Sequence, residues 1–230
     1  MIWLFLFFAL LSGYRVFSQK VFVIKVAESI NPATAEFIQS AIKTSKQQQA
    51  ECLVIELNTP GGLLSSTREI VSDILNSSVP VIVYIAPSGA RAGSAGVFVT
   101  MASNIAAMAP GTNIGAAHPV NLQGQTDAIL NEKSTNDAAA FIRSIAEKRN
   151  RNAVWAEDAV RMSVSITESQ AVSENVVNLI ADNEQQLLQK IDGLSVTTAS
   201  GTKILQTAHA QTEELEMGFF LKFLSKLSDP

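Results

Sequence analysis

The sequence predicts an α/β fold with right-handed crossovers, on three observations. Apolar runs of strand length alternate with amphipathic stretches of helix length between about residues 20 and 192. Two of the strand-to-helix junctions are glycine turns, Pro60-Gly61-Gly62 and Gly93-Ser94-Ala95-Gly96. The composition is globular: 47% of the 230 residues are hydrophobic and 17% charged, enough for a sizeable core.

The elements follow in order. Residues 20–27 read as a strand. Residues 32–46 read as a helix, with Asn31 as its cap and Pro32 at the first position, where a missing N–H is harmless. Residues 47–50 are a polar connection. Residues 52–57 read as a buried strand that ends in Pro60-Gly61-Gly62 and leads to a helix over about 64–75. Residues 79–86 are the next strand, after which the serine turn opens a helix ending near Ser103. Residues 105–108 read as a short strand, 109–119 as a loop of small residues, and 121–131 as a polar, mobile connection. A helix returns over about 133–149, with Ala139, Ile142, Ile145 and Ala146 on one face. Another follows over about 153–162. Thr167 and Gln170 form a capping-box pattern opening a short helix. Residues 176–181 read as a strand, 184–191 as a helix and 194–205 as a hairpin.

Ser94 lies among tiny residues at a strand-to-helix turn. Its hydroxyl is expected to be open to a substrate backbone, with a helix N-terminus behind it that favours developing negative charge. That is the local design of a nucleophilic serine; the plain alternative is a serine that caps its helix. Upstream, Gly61 and Gly62 permit backbone conformations that turn amide N–H groups outward. The N–H groups of Gly62 and Ala95 could together form an oxyanion hole, the alternative being an ordinary loop. Gly61 and Gly93 would leave the adjoining backbone open to a substrate chain.

Composition excludes several classes. Net charge is −4 and basic residues do not cluster, so no nucleic-acid partner is expected. The single cysteine, Cys52, falls in an apparent strand and reads as a core residue. Cys and His spacing offers no metal site, and no cofactor is expected. Residues 2–11 are a solid apolar run, short for a membrane span and matched to a signal-peptide core. Val16 and Ser18 are compact residues suited to cleavage before Gln19. No Lys or Arg precedes the run, so an uncleaved anchor is the alternative. Either way the remainder is expected outside the cytoplasm. Residues 215–227 carry Phe219, Phe220, Leu221, Phe223, Leu224 and Leu227, with Lys222 and Lys226 between them. This basic amphipathic pattern suits a membrane interface or a partner, or else packs back on the domain.

Taken in order, residues 56–62, Gly93-Ser94-Ala95-Gly96 and residues 107–116 resemble the Clp-protease superfamily. Within it, the chain is most similar to the protease domain of NfeD-type membrane serine proteases, partners of stomatin-like proteins. Lys133-Ser134-Thr135-Asn136 and residues 141–146 add to the match, which covers about residues 20–192. The resemblance implies a Clp/crotonase-like spiral of repeated β-β-α units. It implies a serine endopeptidase that cuts apolar segments of membrane-associated, stomatin-like proteins. It also assigns Ser94 as nucleophile and Lys133 as general base of a Ser–Lys dyad, a role that desolvation opens to lysine. His118 is the rival base. The Clp peptidase proper uses a Ser-His-Asp triad, and His118 falls near its histidine. The acid should fall near Ser163, where there is no carboxylate, and Asp158 is several residues early. A structural or substrate-loop histidine is the other role for His118.

A homo-oligomer, a dimer or more, is expected, and the leader and tail place it at the extracytoplasmic face of a membrane. The chain divides into a leader or N-terminal anchor (1–18), a protease domain (19–192) and a hairpin with an amphipathic tail (193–230). NfeD-type proteins usually continue into a membrane region, and this chain stops about where that region would begin, as a short form or a fragment. Two competing classes remain: a non-catalytic Clp-like module that grips apolar protein tails, and an acyl-CoA-handling enzyme of the crotonase fold, which shares glycine-rich oxyanion turns.

Overall fold

Strand β1 (Lys20–Val26) opens the fold, followed by α1 (Pro32–Gln47), β2 (Cys52–Leu57), α2 (Leu64–Leu75) and β3 (Val81–Ile85). The computed structural model describes residues 19–119 and 128–227, so the leader and most of the polar connection at 121–131 lie outside the described residues. Next come β4 (Arg91–Gly93), α3 (Ala95–Ala102), β5 (Ile105–Met108), β6 (Asn113–Gly115), α4 (Ala128–Lys148), α5 (Ala153–Arg161) and β7 (Ser165–Thr167). The chain continues through α6 (Glu168–Ser173), β8 (Leu179–Ile180), α7 (Glu184–Ile191), β9 (Ser195–Thr198), β10 (Gly201–Ile204), β11 (Gln211–Glu214) and α8 (Phe219–Leu227).

The main sheet has six strands in the order β11-β1-β2-β3-β5-β8, all pairs parallel. Side chains alternate between its faces. Phe22, Ile24, Leu53, Ile55, Val81 and Val83 meet one core with α1 to α6, while Val21, Val23, Cys52, Val54, Ile82 and Tyr84 meet a second core with α7. Burial on both faces explains why these strands read as unbroken apolar runs. Burial also pushes the Cys52 thiol up to about 12, as befits a core residue. Asn31 caps α1 as expected, its Oδ1 accepting from the Thr34 N–H at 2.9 Å, and Thr167 with Gln170 closes the capping box of α6.

Four features depart from the sequence reading. A second sheet, β4-β6-β7, is built from three-residue strands too short to carry a periodic signal. The strand expected over 176–181 shortens to Leu179–Ile180, because Val176 and Val177 donate their N–H groups back to Ala171 O and end α6. Helix α4 is already formed at Ala128, the first described residue after the polar connection and ahead of the expected start near residue 133. Strand β11 joins the main sheet although all four of its residues are exposed and polar. It is an edge strand, held by backbone pairing and by the Lys20–Glu213 and Lys25–Glu214 ion pairs, both 2.7 Å. The hairpin expected over 194–205 is present as β9 and β10.

Ile55 is fully buried in the second of the central strands, whereas Ile204 is 63% exposed on the hairpin. Ile55→Ala is expected to lower stability by about 2–5 kcal/mol, and Ile204→Ala by less than about 0.5 kcal/mol. Urea denaturation of the two variants checks this.

Candidate active site

Two glycine turns nest against each other at the carboxyl ends of β2 and β4. Backbone bonds join them: Thr59 N–H donates to Arg91 O at 2.8 Å and Gly93 N–H donates to Thr59 O at 3.0 Å. The approach leaves no room for side chains. A Cβ on Gly93 would lie 2.7 Å from Pro60 O, and one on Gly96 2.7 Å from the Thr59 methyl. One on Gly61 would lie 2.5 Å from Ser94 Cβ and 3.1 Å from Ser94 Oγ. The serine hydroxyl therefore stands directly against bare backbone.

Ser94 occupies the N-cap position of α3, yet its side chain makes no capping bond. Its backbone, at φ 48° and ψ −110°, lies in a region that L-residues rarely adopt, a strain of about 1–3 kcal/mol. The Ser94 N–H donates to Gly115 O at 3.2 Å, and Ser94 O accepts from Val97 N–H at 3.0 Å. Backbone bonds thus hold the turn, and the hydroxyl is left for other chemistry. Among the described residues, the amides of Gly62 and Ala95 have no hydrogen-bond partner.

The serine opens onto a cleft of about 510 Å³ with walls from Ile30, Leu63, Leu64, Phe98, Ala117 and Pro119. Ser94, Ala95, Gly61, Gly62 and His118 all line it. Gly93 lies behind, under Pro60. Lys133 is exposed on the early turns of α4 and does not line the cleft; that helix reaches the cleft at Ala138. The His118 Nδ1 sits 2.9 Å from Val160 O, which can only accept, so this nitrogen donates and Nε2 is left as the acceptor of the neutral ring. A carbonyl thus orients the ring where a triad would have a carboxylate. Asp158 and Ser163 do not line the cleft. Among the described residues no group of His, Cys, Asp and Glu could hold a metal.

Two parts of the site escaped the sequence reading. The wall formed by Ser29, Ile30 and Asn31 is joined to the glycine turn by backbone alone: Ile30 N–H donates to Gly61 O at 2.7 Å, and Leu63 N–H donates to Ile30 O at 2.8 Å. Only Asn31 carried any signal, and it read as a helix cap. The second part fixes α4. Phe98 stacks on Phe141 at 5.6 Å, and the Arg68 guanidinium lies 4.2 Å over the Phe141 ring while pairing with Asp137. Arg161 donates to Asn136 Oδ1 at 2.6 Å. These contacts anchor the turn that follows Lys133.

The architecture is that of the Clp-like α/β proteins, with a serine set between two glycine turns at a strand-to-helix junction. ClpP1 from Listeria monocytogenes shares this fold at TM-score 0.56 and 16% identity, over 70% of this chain and 92% of that one. The model of the NfeD1b N-terminal domain matches residues 20–216, and the chain belongs to that family. The membrane-bound protease PH1510 of Pyrococcus horikoshii is 34% identical over 214 residues, 91% of this chain and 48% of that protein. Membrane protein NfeD1b of Bacillus subtilis is 29% identical over 164 residues, 71% of this chain and 36% of that protein. The chain therefore spans about half the length, or less, of these relatives. Among solved structures, a lysine-to-alanine mutant of the 1510-N membrane-bound stomatin-specific protease, in complex with a substrate peptide, superposes at TM-score 0.85 and 30% identity, over 94% of this chain and 100% of that one. A serine-to-alanine mutant of the same protease gives TM-score 0.81 at 31% identity, over 87% and 99%.

The tightness of the Gly61–Ser94 contact can be tested. Gly61 has φ +132°, and an added methyl would collide with Ser94 Cβ. Gly61→Ala is expected to cost about 1–3 kcal/mol of stability and to slow labelling of Ser94 by a fluorophosphonate about 100-fold through misplacement of the hydroxyl. Thermal unfolding and labelling rates measure the two effects.

Proposed function

We propose that this chain is a serine endopeptidase that cuts apolar peptide segments, with Ser94 as nucleophile. The observation that carries this reading is the uncapped Ser94 hydroxyl in a strained turn, set against Gly61 on an apolar cleft. Ser94 Oγ attacks the scissile carbonyl while a base takes its proton. The N–H groups of Gly62 and Ala95, at the glycine turn and the start of α3, hold the oxyanion. The base returns its proton to the leaving amine, and water hydrolyses the acyl-enzyme.

Lys133 is the base we assign. In support, the related protease was studied as serine and lysine mutants, the latter with a substrate peptide. Lys133 is exposed, so its amine must swing to Ser94 as substrate fills the cleft. An apolar substrate covering it would supply the desolvation that a lysine base requires. A second reading has one observation in its favour: His118 lines the same cleft as Ser94, with Nδ1 bound to Val160 O and Nε2 left as the acceptor of the neutral ring. The natural substrate is assigned to the stomatin-like class because the similar Pyrococcus horikoshii protease is stomatin-specific. An apolar cleft suits such segments.

A membrane location at the extracytoplasmic face and a homo-oligomer belong to the same proposal. No helix of the described residues is long and apolar enough to cross a membrane. Helix α8 supports contact with a bilayer surface instead, because Phe219 is 89% exposed, Phe220 68% and Phe223 54%, beside Lys222 and Lys226.

Ser94→Ala and Lys133→Ala are each expected to lower turnover of an apolar fluorogenic peptide by a factor on the order of 1,000 or more, while His118→Ala keeps most activity. The reverse pattern for the last two moves the base to His118. A fluorophosphonate should label wild-type Ser94. Failure to label would favour the binding module or the crotonase-like reading. For the membrane, replacing Phe219, Phe220 and Phe223 together by serine is expected to weaken sedimentation with anionic vesicles without changing peptide cleavage. Unaltered sedimentation would remove α8 as the contact.

A further inference from the structure

Helix α8 has two faces. Its outer face carries the exposed phenylalanines, and its inner face turns Leu221 and Ser225 against α1. Ser225 is the anomaly: a hydroxyl that is 1% exposed on a nine-residue helix otherwise made of apolar residues and two lysines. A buried hydroxyl requires a partner. Ser225 Oγ accepts from Asn31 Nδ2 at 2.9 Å, and Ser225 O accepts from the same nitrogen at 3.4 Å.

Asn31 is also 1% exposed, and it lines the cleft. Its other end is engaged as well: Oδ1 accepts from Thr34 N–H at 2.9 Å and Thr34 Oγ1 at 3.1 Å. The side chain is therefore clamped between α1 and α8. Immediately before it, Ile30 brackets the glycine turn through its bonds to Gly61 O and Leu63 N–H. The fit there has no slack, since a Cβ on Gly62 would lie 2.0 Å from Ile30 O. A shift of Ile30 and Asn31 must carry Gly62 with it.

We propose that Ser225 is a positioning residue: docking of α8 on Asn31 holds residues 29–31 against Gly61-Gly62 and so sets the Gly62 N–H for the oxyanion. This rests on the serine peptidase reading. The α1 cap fixes Asn31 to its own helix, and among the described residues it is α8 that fixes it from the outer side. The tail is thus more than a surface tether, and losing its grip on Asn31 changes the chemistry of a soluble substrate.

The test uses the full chain with Ser225→Ala and, as the conservative variant, Ser225→Thr. One readout is kinetics on an apolar peptide. A second compares a peptide aldehyde with the peptide alcohol of the same sequence. The aldehyde forms a hemiacetal: Ser94 Oγ bonds to its carbon, the carbonyl oxygen takes up the negative charge that the oxyanion hole meets, and the serine proton passes to the base. The alcohol forms no such bond. A third readout is amide hydrogen exchange over residues 61–63. Ser225→Ala is expected to lower kcat and aldehyde affinity about 10-fold, with KM and alcohol affinity within about twofold, and to speed exchange at 61–63. Ser225→Thr is expected to restore all of them. Unchanged kcat and exchange would overturn the proposal, as would an equal loss of alcohol affinity, which means general collapse of the cleft. Should the wild-type chain bind aldehyde no better than alcohol, the peptidase reading itself fails; coupling of α8 to the glycine turn is then judged by exchange alone.

Discussion

Contact between bare backbone at Gly61 and the side chain of Ser94 governs the rest of the site. It exists because the ends of β2 and β4 are joined by backbone bonds, which bring the two turns together at separations that no Cβ at Gly61, Gly93 or Gly96 would allow. The strain at Ser94 persists because this arrangement over-determines it: the Ser94 amide is held by Gly115, and the start of α3 by Ser94 O. The parallel sheet beneath supplies stiffness. Its two buried faces fix the strand ends, and ligands of open α/β sheets bind beyond those ends.

How much of this was legible depended on the kind of signal. Strands β1, β2, β3 and β5 were legible because burial on both faces leaves unbroken apolar runs. Helix α1 and the box at Thr167 were legible because capping uses particular side chains at fixed offsets. Ser94, Gly61 and Gly62 were legible because a crowded turn admits only small residues. The three-residue strands were not, since three residues give no period. Nor was β11, whose exposed Gln211, Thr212, Glu213 and Glu214 look like loop and are ordered by backbone pairing. The Ile30–Gly61 bond joins backbone atoms far apart in sequence, and backbone bonds leave no mark on residue type.

The base shows the same division. The type and order of Lys133 and His118 were readable, but their reach was not. The structure gives His118 a place on the cleft and a ring oriented by the Val160 carbonyl, and gives Lys133 a firmly anchored helix with an exposed side chain. Arg68 of α2 anchors that helix through its Phe141 and Asp137, a triplet with no motif to announce it. Each residue alone would pass as ordinary surface or core.

The direction of β11 has a consequence for the shape of the whole domain. Because β11 runs parallel to β1, the chain leaves both strands at one pole of the sheet, β1 toward Ile30 and Asn31, β11 toward α8. An antiparallel edge strand would have delivered the last helix to the opposite pole, with the length of the strands in between. The parallel arrangement requires the chain to traverse nearly the entire fold before it returns to β1. In exchange, α8 comes to rest beside the cleft, on Asn31, which lines the cleft and donates to Ser225.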